Sequence, residues 1–233
     1  MSQTLAFTLF SAAAAMAPGL VLAGSVLMLL LFTQIVLRRR ARWLVMGEDN
    51  RYSNSKFQMA TWFATVFSAY VAAIVMRWSQ GGPALVGGVD IPQNLLLVSG
   101  MSALSFAGAK QIVVSRINRA GGNVTRAKAP SRSGPRFPSD LITDDSGTRP
   151  DLGDFQMLVV TLLAVVVYVI QVCTWLGAVP LTPQTTLPDV DQTILGTFGI
   201  GQAAYLAKKY VGDSGNTTQA PGPILNAPPP HPN

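Results

Sequence analysis

Apolar residues fall along this chain in five long blocks, near 16–37, 59–78, 95–112, 156–177 and 193–210, with polar stretches between them. Each block approaches the roughly 20 residues that a helix needs to cross a hydrocarbon core of about 30 Å. The pattern predicts an all-α polytopic membrane protein with five transmembrane helices. Ser99, Ser102 and Ser105 interrupt the third block, and Thr197 and Gln202 the fifth. These two are expected to face protein rather than lipid. Small residues from Ala12 to Ala17 offer a signal-peptidase site, but no basic stretch precedes them and the apolar run continues to Leu37. A retained anchor is therefore expected.

The last four blocks repeat one pattern at an offset of about 98 to 99 residues. Phe57-Gln58-Met59 and Phe155-Gln156-Met157 each open an apolar segment, a polar gap follows, and Asp90-Ile91-Pro92-Gln93 or Asp189-Val190-Asp191-Gln192 leads into a second segment. In that second segment Gly100, Phe106 and Lys110 match Gly199, Tyr205 and Lys209. A fixed offset implies one structural unit used twice, here a pair of helices. Both copies leave and re-enter on the same side, so they are parallel repeats, expected to be related by a pseudo-twofold axis along the membrane normal. The implied organisation is an N-terminal helix with a basic flank (1–45), a first two-helix repeat (46–112), a basic linker (113–140), a second repeat (141–210) and a Pro-rich disordered tail (211–233).

Net charge is +6, and its placement matters more than its size. Arg38, Arg39, Arg40 and Arg42 follow the first block; Arg116, Arg119, Arg126, Lys128, Arg132 and Arg136 follow the third; Lys208 and Lys209 close the fifth. The gaps at 79–94 and 179–192 hold no Lys or Arg. Short basic loops stay cytoplasmic, which places the N-terminus outside and the C-terminus inside a bacterial cytoplasmic membrane. Charge of this kind points to anionic headgroups, not to nucleic acid.

No Asp, Glu, His, Lys or Arg lies near the middle of any block, which argues against coupled transporters and intramembrane enzymes. No catalytic residue, metal ligand or cofactor is expected. Cys173 stands alone and His231 lies in the tail. The acidic leads Glu48-Asp49 and Asp144-Asp145 lack the spacing of a calcium loop and suit helix capping. Gln58 and Gln156 take matching positions at helix starts, where an amide bonds a neighbouring helix or meets headgroup water. Arg77, beside Trp78, is expected to anchor in headgroups; Trp43, Trp62, Trp78 and Trp175 are expected in an aromatic belt. Ser99, Gly100, Ala103 and Ala107, with Gly199, Gln202, Ala203 and Ala207, are candidates for close helix packing or for a pore lining. Arg38, Arg39, Arg40, Arg42, Lys208 and Lys209 are candidates for lipid contact.

The polar lead into F-Q-M, then D-x-x-Q and a helix carrying Gly199-Ile200-Gly201-Gln202-Ala203-Ala204-Tyr205-Leu206-Ala207-Lys208-Lys209, resembles a bacterial multi-pass membrane protein family of uncharacterised activity. The resemblance covers about 46–112 and 141–210. The first copy differs, with Ser102 and Ala109 where the second has Gly201 and Lys208. It implies the duplicated fold and no activity. The functional expectation is a membrane scaffold or anchoring subunit with lipid or protein partners, a homo-oligomer or a larger membrane complex. The alternative is a passive oligomeric channel lined by 95–112 and 193–210.

Overall fold

A computed structural model describes residues 18–37, 41–47, 50–119, 134–143 and 149–215. The described chain is mostly helical: α1 (Pro18–Leu37), α2 (Asn54–Gly81), α3 (Gln93–Arg119), α4 (Leu152–Leu176) and α5 (Gln192–Gly215). Of these, α1 to α4 are long and apolar enough to cross a membrane. At 24 residues α5 is long enough, but the amide of Gln202 and the Lys208–Lys209 pair make it more polar. At 1.5 Å per residue, the 28 residues of α2 span about 42 Å, more than a hydrocarbon core.

Helices α2 and α4 run from what we term the base to the tip, and α3 and α5 return. Each ascending helix is preceded by an antiparallel bridge, Met46↔Tyr52 before α2 and Thr143↔Pro150 before α4. At α4, Asp151 accepts from the amides of Gly153 (2.7 Å) and Asp154 (3.1 Å), satisfying two of the amides that a helix start leaves unpaired. Helix α2 has Ser53 at the same place but no side-chain cap bond. Its end is set by Gly82, whose φ of 78° turns the chain while its N–H closes on Trp78 O.

Like helices are neighbours: α2 packs on α4 and α3 packs most extensively on α5, while each hairpin also packs internally. Helix α1 lies over α2 and, less extensively, α4. This arrangement differs from the expected twofold. A rotation relating two hairpins about the bundle axis leaves only one pair of equivalent helices close to that axis. Here both pairs touch, so the hairpins sit side by side in the same orientation. The tips agree, because the strands β1 (Val89–Asp90) and β2 (Thr185–Thr186) pair in parallel.

Trp62, Tyr168 and Phe198 form the centre of the core, with ring centroids 6.3 Å apart for Trp62–Tyr168 and 5.9 Å for Trp62–Phe198. Trp62 is 1% exposed, so it belongs to the core and not to an interfacial belt. Ala69, Ala72 and Ala73 let the backbone of α2 approach its neighbours closely. Ser102 and Thr161 are buried at little cost, since each hydroxyl donates to the carbonyl four residues earlier. The outward sides expose large apolar residues, among them Leu27, Ile35, Leu104, Leu163 and Ile200.

Candidate functional site

A chain of amides enters the bundle from the base. Asn54 Nδ2 donates to the carbonyl and Oδ1 of Asp154, at 3.0 and 3.1 Å, joining the starts of α2 and α4. One turn further in, Gln58 Nε2 donates to Asn54 Oδ1 (3.0 Å), and Gln202 Nε2 of α5 donates to Gln58 Oε1 (2.9 Å). Gln58 and Gln202 are 2% and 4% exposed. Beyond them, Gln202 Oε1, Trp62 Nε1, Tyr168 Oη and Ser68 Oγ are buried with no hydrogen-bond partner among the described residues. Buried polar atoms without partners are uncommon in folded proteins.

The tip is closed by Arg77. Its side chain is fully buried; Nε donates to Leu85 O (3.1 Å), Nη1 to Pro180 O (2.7 Å), and Nη2 is shared among Gly87, Thr182 and Pro183 carbonyls at 3.3, 2.8 and 3.3 Å. The fork of a guanidinium suits such a set of acceptors better than the point charge of lysine. Both tip loops are therefore bound to one cation. Gly88 permits their close approach: at φ 70°, a Cβ there would lie 2.1 Å from Pro183 O. Asp189 of the second loop also accepts from Leu95 N (3.2 Å) near the start of α3, so one hairpin caps a helix of the other.

At the base, α4 and α5 part around a cleft of about 340 Å³ lined by Gln156, Met157, Gly201, Ala204, Tyr205 and Lys208, among others. The small residues Gly201 and Ala204 create the space. Lys208 Nζ binds Asp151 Oδ1 at its edge. Burial opposes ionisation of the Asp151 carboxyl, but the Lys208 bond and charge and the Asp154 and Gly153 amides outweigh it and hold its pKa below the usual carboxylate range. The neighbouring 134–143 segment is built onto the base: Asp140 accepts from Tyr52 N and Arg136 N and lies 4.0 Å from Arg51 Nε, while Phe137 packs on Tyr52 and Phe57.

The sequence candidates separate into distinct places. Gln58 is in the amide chain, whereas its counterpart Gln156 is exposed on the cleft. Gln202 is buried; Ser99 and Gly199 are half-buried, and Gly100, Ala103, Ala107, Ala203 and Ala207 are exposed. Intrachain packing of α3 runs instead through Leu95, Val98, Ser102, Ser105 and Ala109. Arg42 stacks on Trp43 at 5.9 Å and Lys209 on Tyr205 at 5.4 Å. Arg38, Arg39, Arg40, Glu48, Asp49, Asp144, Asp145, His231 and most of the basic linker lie outside the described residues. Cys173 is a half-buried free thiol. Among the described residues, no three His, Cys, Asp or Glu side chains converge.

Sequence reasoning missed the role of Arg77, which sits in the bundle and not in headgroups. The available signal was its surroundings: two tip loops rich in Gly and Pro, with no other Lys or Arg, whose carbonyls need donors. Compared with known proteins, the chain matches no family model, no curated protein and no solved structure.

Proposed function

We propose that this chain is an integral membrane scaffold or anchoring subunit without enzymatic activity, seated in a bacterial cytoplasmic membrane with its base in the cytoplasm and its N-terminus outside. The observation that carries the proposal is the separation of charge along the bundle. Arg42, Arg51, Arg119, Arg136, Arg149, Lys208 and Lys209 lie at or toward the base, while Arg77, the one described cation at the tip, is consumed by backbone carbonyls. Between the ends, the helices present apolar side chains outward. Basic groups beside an anionic leaflet gain about 1 kcal/mol each. Repetition of one hairpin accounts for the matched bridges at the base and for the parallel placement of the two tips.

The test is capture of the full chain from solubilised membranes, beside a variant with Arg38, Arg39, Arg40 and Arg42 all changed to Gln. The native chain is expected to retain a stoichiometric protein partner or anionic phospholipid, and the variant at least about ten-fold less, given about 1 kcal/mol per charge. Reproducible single-channel steps from purified protein in planar bilayers would overturn the scaffold role in favour of a pore.

A further inference from the structure

Matching positions of the two hairpins bury different, adjoining faces, displaced by about one residue, or roughly 100° around a helix. On the ascending helices, Asn54 is 6% exposed and its counterpart Leu152 78%; Ala72 is 0% and Ile170 60%; in reverse, Phe63 is 65% and Thr161 0%. On the returning helices, α3 buries Val98, Ser105 and Ala109, whose counterparts Thr197, Ala204 and Lys208 are exposed. Helix α5 buries Phe198, Gln202 and Tyr205, whose counterparts Ser99 and Phe106 are half-buried and Ala103 exposed; Gly201 and its counterpart Ser102, where the two faces meet, are both buried. A twofold contact uses one patch on both partners, whereas a contact between different patches is heterologous and can repeat. The contact between these hairpins is of the second kind. It leaves open the face of α4–α5 that matches the buried face of α2–α3, termed the leading face, and leaves only partly covered the face of α2–α3 that matches the buried face of α4–α5, termed the trailing face. Helix α1, over α2 and α4, leaves Phe63 of the trailing face 65% exposed.

We propose that the chain assembles head to tail with further copies of itself, the leading face of α4–α5 receiving α3 of the next copy as α2–α3 receives α5 within the chain. The cleft at the base of α4–α5 is where the fit is tested most closely. Within the chain, Tyr205 packs on Ala109, and Leu206 lies 3.1 Å from where a Cβ on Gly108 would stand. Moved on by one hairpin, these contacts bring Phe106 of the next copy against Lys208, beside the small residues Gly201 and Ala204, and bring Ala107 onto Ala207. The small stripes on α3 and α5 then acquire a partner, as close packing in lipid requires. The assembly rests on the placement of the hairpins and not on what the basic segments bind, so it and the scaffold role fail separately.

The experiment uses the full chain in native membranes, with Cys173→Ser as background. The double variant Ala107→Cys with Ala207→Cys is expected to give, on mild oxidation, a ladder of dimers, trimers and higher species, while either single variant gives none. Dimers from Ala107→Cys alone reveal a twofold contact and overturn the proposal, as does a double variant that stays monomeric. Native mass spectrometry of the unsubstituted chain in mild detergent decides the same question without any thiol. Species of three or more copies support head-to-tail growth; a monomer, or a dimer that grows no further, overturns it.

Discussion

Arg77 turns a liability into a fastening. A buried cation is expensive unless its donors are used, and five carbonyls from two separate loops accept from all three of its nitrogens. Arg77→Met strands those carbonyls, at a cost of about 3 kcal/mol or more, so the apparent Tm of purified protein in detergent is expected to fall by roughly 10 °C. Arg77→Lys should recover little, because one ammonium cannot span the set. A Tm unchanged by both variants would return Arg77 to the headgroups. At this scale the sequence was least informative: an arginine beside a tryptophan at a helix end has the same local signature whether it points out to lipid or in to a loop. Gln58 and Gln156 show the same ambiguity. Their sequence contexts match, and only the neighbour brought by the other hairpin separates buried from exposed.

At the scale of elements, the five helices were legible from the apolar blocks, with ends that move by up to six or seven residues as caps and polar turns extend them. Their mutual arrangement was not. Matching order and spacing establish likeness between hairpins, but two like hairpins can meet by rotation or by translation, and the choice lies in which faces interlock. The amide chain Asn54–Gln58–Gln202 is one place where that choice is recorded, since it joins α2 to α5 across the bundle. Gln58→Leu is expected to cost about 1–3 kcal/mol by leaving Gln202 and Asn54 unpaired in the interior. The double variant Gln58→Leu with Gln202→Leu should cost less than the two single changes together, because apolar partners remove the stranded donor as well. Thermal unfolding of the four proteins measures the coupling; strictly additive losses would mean that the bond contributes nothing.

For the whole molecule, the base and tip differ in charge, in loop structure and in how they are closed. If the base is cytoplasmic, reporter fusions at Gly82 and Thr185 are exported and one at Gly134 is retained; the reverse pattern would invert the orientation. The clasp at the tip also bears on how such a chain is made. Two of the five acceptors of Arg77, Leu85 and Gly87, come only 8 and 10 residues after it, but Pro180, Thr182 and Pro183 follow 103 to 106 residues later. A ribosome delivers the first hairpin with its guanidinium only partly engaged, and the remaining acceptors arrive when the second hairpin is made. Formation of the second tip loop is thus what completes the clasp, and a chain truncated before Pro180 would leave Arg77 held by the first loop alone.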